Sequence, residues 1–141
     1  MSLSQKIIYS LASLLIFSQP VFAEEKAEAS TKAKAILEAS PENGIKLADV
    51  ALKRLNIQFL AISDVGSVKI PIDAVVHSLS RVGIYRLRDG WLKLIPIKAF
   101  SDTGQRTVIV HSSELSIHDK VVVQGAALVR VAEMEAFGGG E

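Results

Sequence analysis

An Asp-Gly pair between two β-forming runs constrains this chain more than any other feature. Residues 83–88 precede the Asp89-Gly90 pair, and residues 91–97 follow it. A two-residue type I′ turn needs positive φ at both turn positions, which Asp and Gly tolerate. The pattern therefore predicts a β-hairpin, and the rest of the chain is interpreted around it.

Other segments also indicate β structure. Two β-rich runs, residues 106–111 and 120–124, follow the hairpin. Before it, residues 44–63 predict a short strand, a short helix and another strand. Asn56 is predicted to end the helix by adopting a left-handed conformation. Together these patterns predict a mostly β fold with one or two short helices, arranged as a small antiparallel, barrel-like unit.

The second arm of the hairpin changes the parity of its apolar residues. Leu92 and Leu94 face one way, whereas Ile95 and Ile97 face the other. This change indicates either a β-bulge, for which Pro96 is suited, or a strand that is buried on both sides, as happens in a small barrel.

The C-terminal segment predicts a short helix. Within residues 126–137, Leu128, Val131 and Met134 lie at helical spacing. Extension of the preceding strand is the alternative. A glycine-rich, flexible tail is predicted for residues 138–141, after a β domain that is predicted to span residues 44–137.

Composition argues against several classes of function. The chain has 16 basic and 15 acidic residues, and this balance is not that of a nucleic-acid-binding protein. It has no cysteine, which excludes a disulfide scaffold, a thiol nucleophile and a cysteine-ligated metal. No nucleophile elbow or phosphate-binding glycine loop is present. A non-enzymatic protein without a cofactor is therefore predicted.

The three histidines do not predict a metal site. His77, His111 and His118 are never four residues apart, and none has acidic neighbours at a ligand spacing. Since a metal site needs several convergent ligands, surface or loop positions are the simpler interpretation.

The N-terminal segment predicts secretion. Lys6 precedes an apolar run at residues 7–17, and small residues lead to a cleavage site after Ala23. A run of eleven residues is too short for a membrane-spanning helix, which needs about 20. Residues 1–23 are therefore predicted to be a cleaved signal peptide, with the bacterial periplasm as the destination.

Residues 24–43 predict a solvated, partly helical tether of low complexity. Ile36 and Leu37 are its only large apolar residues, so it has little surface to bury. The alternative is a partner-binding helix that uses these two side chains as anchors.

Four residues near the hairpin turn predict a partner interface. Trp and Arg are enriched at binding hot spots, and here Arg86, Arg88, Trp91 and Lys93 occur together. The alternative is a solvated strand face on which Trp91 caps the core.

Several segments resemble one family in the same order along the chain. Residues 70–76 (IPIDAVV), the Asp-Gly hairpin, residues 108–110 and residues 119–126 (DKVVVQGA) resemble the C-terminal part of periplasmic adaptor proteins. These adaptors, also called membrane fusion proteins, belong to tripartite resistance-nodulation-division (RND) efflux pumps, and the heavy-metal branch is the most similar. Residues 44–62 resemble the N-terminal run of the same proteins.

The resemblance implies a fold and a role. In the family the two runs meet in a small β-barrel-like, membrane-proximal domain that docks on the inner-membrane pump. The domains that normally separate them are replaced here by residues 63–67, so a truncated, stand-alone domain is implied. Glu114 and His118 stand where glycines are usual, so a remodelled corner is expected.

The implied function is that of a periplasmic accessory component of an RND efflux system. Its expected partner is the inner-membrane pump or a full-length adaptor, and its contact with the membrane would be indirect, through that partner. The alternative is a small periplasmic carrier that binds a metal or another ligand.

Overall fold

The computed structural model describes residues 34–78, 81–102 and 104–138. These residues confirm a mostly β fold with two short helices. The predicted signal peptide, residues 24–33 of the tether and the last three residues of the tail lie outside the described residues. In chain order the elements are β1 (Ile36–Ser40), β2 (Gly44–Leu47), α1 (Asp49–Arg54), β3 (Gln58–Ala61), β4 (Ser67–Pro71), a 3-10 turn (Ile72–Ala74), β5 (Val76–Ser78), β6 (Arg81–Arg88), β7 (Trp91–Pro96), β8 (Ala99–Asp102), β9 (Thr107–His111), β10 (Lys120–Gln124) and α2 (Ala126–Ala136).

The predicted hairpin lies at the centre of the larger sheet, here called the main sheet. Its strands pair in the order β1-β2-β7-β6-β10-β3, and β5 also pairs with β6. Arg88 lies opposite Trp91 across the turn, and φ is 51° at Asp89 and 81° at Gly90. Both turn residues therefore adopt the left-handed conformation that the sequence predicts.

The segments before and after the hairpin meet in the main sheet. β3 pairs antiparallel with β10, with Leu60 opposite Val121. The backbone N–H of Ile62 donates to the carbonyl oxygen of Asp119 at 3.0 Å, which continues the contact beyond the strand. β10 also pairs with β6, so it lies between the hairpin and β3.

Near Ile84 and Tyr85 the hairpin is buried on both faces. The β6–β7 register runs without a shift from Arg88–Trp91 to Gly83–Pro96, so the bulge alternative is wrong. Adjacent residues of β6 instead enter two different apolar cores, with Ile84 in the first and Tyr85 in the second.

The first core lies against a second, three-stranded sheet with the order β4-β9-β8. Its buried members come from both sheets and from the segments that connect them. They include Val68, Ile70, Ala74, Val75, Ile84, Ile95, Val108, Val110, Leu115 and Val121.

The second core lies between the main sheet and the two helices. Val129 and Ala126 of α2 are buried there beside Tyr85 and Leu92 of the hairpin, and Leu52 of α1 packs against the same cluster. The strands form two sheets with a core on either side of the larger one, and the barrel-like closure of the fold stays a prediction.

The prediction of a partly helical tether is wrong at its C-terminal end. Ile36–Ser40 forms β1, which pairs antiparallel with β2 and has a register irregularity between Ile36 and Glu38. Ile36 packs against the second core. Backbone N–H and C=O groups of β1 form hydrogen bonds with β2, whereas those of a solvated tether would bond to water. The folded unit therefore begins before residue 44.

Two further elements differ from the predictions. β8 (Ala99–Asp102) pairs with β9 and is not among the predicted strands. The predicted helix α2 is present, but Leu128, Val131 and Met134 remain 44%, 60% and 46% exposed. Their helical spacing therefore marks an outer stripe of α2 and not its buried face.

Candidate functional site

The structure brings the four predicted interface residues onto one face of the hairpin. Arg88 lies directly opposite Trp91, and Arg86 lies opposite Lys93. Directly opposed residues of an antiparallel pair project to the same side of the sheet. Lys46 of β2 extends this group, with its Nζ 5.6 Å from the centroid of the Trp91 ring. These five residues are called the hairpin face below.

Arg88 binds the loop that precedes β10. Its Nε donates to Oδ1 of Asp119 at 2.6 Å, and its terminal nitrogen donates to Oδ2 at 2.7 Å. Asp119 is only 1% exposed, and its Oδ2 also accepts from the backbone N–H of Ser116 at 2.8 Å and from the Ser116 hydroxyl. A bidentate arginine pair of this kind fixes orientation as well as distance.

The pKa of Asp119 reflects two opposing effects. Burial raises the pKa of this carboxyl, whereas the hydrogen bonds from Arg88 and Ser116 lower it, and its net pKa lies below the usual value. The carboxylate is therefore ionised over the physiological range, and its charge is balanced by that of Arg88.

Arg86 contacts the same loop less completely. Its terminal nitrogen donates to the carbonyl oxygen of Glu114 at 3.1 Å, and the Glu114 carboxylate lies 3.9 Å away. Its buried Nε has no hydrogen-bond partner among the described residues. Burial and the neighbouring charge of Arg88 lower the pKa of this guanidinium. Both arginines therefore hold the corner at residues 112–119 in place.

This arrangement divides the predicted interface in two. The guanidinium groups of Arg86 and Arg88 are used within the chain, whereas Trp91 and Lys93 are half-buried strand residues. Lys93 has no ion pair among the residues that the structure describes. The partner interface stays a prediction. Its available part is Trp91 and Lys93, whereas the neighbouring Lys46 is ion-paired with Glu38 at 3.2 Å.

A second polar network attaches α2 to the main sheet. The Tyr85 hydroxyl donates to Oε2 of Glu133 at 2.6 Å. Arg130 donates to the same oxygen at 2.8 Å and to the Ser78 hydroxyl at 3.2 Å. Burial is the main cause that raises the pKa of Tyr85, and the Glu133 carboxylate adds to it. The phenol therefore stays neutral and serves as a hydrogen-bond donor.

An apolar groove of about 570 Å³ lies between β1 and α2. Its volume is within the range of about 300–1,000 Å³ that is typical of small-molecule sites. Sequence reasoning missed this groove, although the Leu128–Val131 spacing and the pair Ile36-Leu37 were signals of it. The groove is lined by Lys34, Ala35, Ile36, Leu37, Glu38, Ala39, Leu47, Leu55, Leu128, Val131, Ala132, Glu135 and Ala136.

The histidines lie apart from both surfaces. His77, His111 and His118 are exposed, as the sequence predicts. Across residues 34–78, 81–102 and 104–138, no group of three or more His, Asp or Glu side chains could hold a metal ion. In the same ranges no helix has the length and apolar character that crossing a bilayer requires.

Comparisons of this chain with protein-family models, with curated proteins and with solved structures find no match.

Proposed function

We propose that this chain is a non-enzymatic, periplasmic accessory component of an RND-type tripartite efflux system. In this proposal it docks on the inner-membrane pump or on a full-length adaptor. The observation that supports it most directly is the antiparallel pairing of β3 with β10. These strands belong to the two segments that resemble the N-terminal and C-terminal runs of periplasmic adaptors.

The length of the connection strengthens this argument. In the adaptor family whole domains separate the two runs, whereas here residues 63–67 separate them. If a chain lacks the intervening domains, it can form the membrane-proximal unit only when these two runs pair directly. The pairing of β3 with β10 meets this requirement. Because the paired residues Leu60 and Val121 are far apart in sequence, this contact is specific to the fold and not a consequence of local chain proximity.

The hairpin face is the proposed docking surface. Trp91 offers a large aromatic contact, and Lys93 adds a positive charge that has no ion pair within the described part of the chain. Aromatic anchors surrounded by complementary charges are typical of binding hot spots. A pump or adaptor surface that carries carboxylates is the partner chemistry that this face would suit.

Co-purification tests the proposal. The chain, expressed from its full sequence with a C-terminal tag, is cross-linked in cells that produce a heavy-metal RND pump and its adaptor. We expect the tag to recover the pump or the adaptor. Lys93→Glu should reduce this recovery about tenfold, which corresponds to the loss of one favourable charge contact at an interface.

Lys69→Glu is the matched control, because Lys69 is an exposed strand lysine of the smaller sheet. This variant should recover the partner as the unmodified chain does. If the unmodified chain recovers neither pump nor adaptor, the proposed function is wrong. If the unmodified chain recovers the pump or the adaptor and the Lys93→Glu variant recovers it equally well, the proposed docking surface is wrong. The proposed function is then retained.

The carrier alternative has a separate test. Titration of the purified chain with copper, zinc, silver and hydrophobic drugs would detect saturable binding. Metal binding that is lost on replacing His77, His111 or His118 would favour a metal carrier. The volume and apolar lining of the groove favour the hydrophobic drugs among these ligands.

A further inference from the structure

The groove beside α2 lies where the second core reaches the surface. Leu47, a buried member of that core, lines the groove. Other lining residues pack against the same core from β1, from α2 and from the end of α1; they are Ile36, Leu55, Ala132 and Ala136. The rim is more open, since Leu128 and Val131 of α2 also line the groove and are 44% and 60% exposed. A molecule bound in the groove would therefore continue the core outward.

The lining favours an aliphatic ligand. Apart from Lys34, Glu38 and Glu135, every described side chain around the groove is that of alanine, valine, leucine or isoleucine. None of these side chains carries a hydroxyl or an amide, so a neutral polar ligand such as a sugar would lose hydrogen bonds to water without replacing them. The described lining also has no aromatic ring on which a flat ligand could stack. An alkyl chain gains most from burial here, because it has no hydrogen bonds to lose.

The charged groups of the lining decide which head group such a chain would carry. Glu38 is ion-paired with Lys46 at 3.2 Å. Lys34 and Glu135 have no ion pair within the described part of the chain. They carry opposite charges, so their surroundings determine which of the two dominates.

The C-terminal end of α2 adds negative potential beside Glu135. Glu135 lies in the last turn of this helix, where the macrodipole places a partial negative charge and stabilises cations. That turn contains no basic residue, and its other carboxylate, Glu133, is paired with Arg130 at 2.8 Å. Lys34 lies outside any helix and receives no comparable contribution. Charge complementarity therefore favours a cationic head group.

We infer that the groove binds an amphiphile with a single aliphatic chain and a cationic head group. The alkyl chain would lie between β1 and α2, and the head group would pair with the Glu135 carboxylate. Because the rim is open, the head group stays in contact with water and only the alkyl chain is desolvated, which avoids the cost of burying a charge. None of the lining residues belongs to the hairpin face, so this site is separate from the proposed docking surface.

Calorimetric titration with matched ligands tests the head group. The protein is expressed from its full sequence and purified, and it is titrated with dodecylammonium and with dodecanoate below their critical micelle concentrations. We expect saturable binding of one dodecylammonium per protein, about fivefold tighter than that of dodecanoate. Decylammonium should bind about fivefold more weakly than dodecylammonium, because its shorter alkyl chain buries less apolar surface.

Two rim variants should change the affinity in opposite directions. Glu135→Gln should weaken dodecylammonium binding about threefold, because the head group loses its ion pair. Lys34→Gln should strengthen it about twofold, because a repulsive charge is removed.

A polar substitution within the groove tests the location of the alkyl chain. Val131→Asn should weaken the binding of dodecylammonium about threefold, because apolar contact is lost. Val65→Asn is the matched control, since Val65 is 75% exposed and does not line the groove. That variant should bind as the unmodified protein does. Circular dichroism checks that each variant is folded.

Several outcomes would overturn the inference. These are the absence of saturable binding, dodecanoate binding as tight as that of dodecylammonium, a Glu135→Gln variant with unchanged affinity, and a Val131→Asn variant that matches Val65→Asn. Self-association through the groove that excludes the ligand, detected by sedimentation equilibrium, would overturn it too. The measurements use the purified protein alone, so their result does not depend on the proposed efflux function.

Discussion

At the scale of single residues, Asp119 shows how a buried carboxylate can fix a loop. It accepts two hydrogen bonds from Arg88 and two from Ser116, so its charge and its lone pairs are satisfied away from water. This carboxylate and the Glu114 carbonyl oxygen, which accepts from Arg86, together hold the corner that precedes β10 against the hairpin. This position directs β10 between β6 and β3.

We predict that Asp119→Ala lowers the free energy of unfolding by about 2 kcal/mol. The variant loses charge-assisted hydrogen bonds and leaves the Ser116 backbone N–H without its acceptor. Arg88 is partly exposed and can be rehydrated, which keeps the loss below that of a fully buried pair. Asp73→Ala removes an exposed pair with Arg106 and should cost less than about 1 kcal/mol. Urea denaturation measures both, and equal losses would contradict the prediction.

The same variant has a predictable pH dependence. The pKa of Asp119 is lower in the folded chain than in the unfolded one, where an aspartate carboxyl has a pKa of about 3.9. The stability from this group is therefore present above that pH and is lost as the pH falls through the folded pKa. The difference in unfolding free energy between wild type and Asp119→Ala should be constant above about pH 5 and should shrink below about pH 4.

The sequence could predict which residues occur near the hairpin turn, but not what they contact. Alternation along the strands places Arg86 and Arg88 on one face, and the structure agrees. Their partners Glu114 and Asp119 come from a loop about 30 residues later, and no local pattern links the two segments. Asp119 looks like an ordinary turn residue until the fold buries it.

At the scale of elements, Gly44 is where β2 begins, and it shows how closely strands approach. Its φ is 91°, and a Cβ atom at this position would overlap the carbonyl oxygen of Leu92 in β7. A side chain here would therefore meet both an unfavourable backbone conformation and a neighbouring backbone that cannot move aside.

We predict that Gly44→Ala lowers the free energy of unfolding by about 3 kcal/mol or more, from a positive φ and overpacking together. Gly104→Ala is the matched control. Gly104 has a φ of 76°, but a Cβ there has no neighbouring atom within 4 Å. It should cost about 1 kcal/mol from backbone conformation alone. Chemical denaturation of both variants measures the difference, and a similar cost for the two would show that the close approach of Gly44 to β7 is unimportant.

The elements differ in how well local sequence specifies them. The Asp-Gly turn and the helix that ends near Asn56 follow from backbone preferences, and both are present, with φ of 50° at Asn56. β1 and β8 have no such local signal. They form because β2 and β9 offer them an edge to pair with. Strands of this kind depend on tertiary contacts that a local pattern does not contain.

At the scale of the whole molecule, the main sheet is the layer that both cores share. Ile84 and Tyr85 are neighbours in β6, yet they enter different cores, one against the smaller sheet and one against the helices. The two-sided burial follows from the parity of the apolar residues in the hairpin. The parity does not predict which segments cover each face of the sheet, because that depends on the order in which distant strands pair.

The position of β1 also determines where the folded unit begins. Truncation tests this, by comparing the stability of a chain that starts at Lys34 with that of a chain that starts at Pro41. The shorter chain lacks the ladder with β2 and the contact of Ile36 with the second core. We expect its free energy of unfolding to be about 3 kcal/mol lower, from one apolar side chain and several backbone hydrogen bonds.

Two substitutions in the longer chain separate these contributions. Ile36→Ala should account for about 1–2 kcal/mol of the loss, because its side chain packs against the second core. Leu37→Ala should change the stability by less than about 0.5 kcal/mol, since Leu37 is half-exposed. Urea denaturation of each variant measures these changes. Equal stability of the two truncated chains would place the boundary at residue 44, and β1 would then be an appendage of the sheet without a structural role.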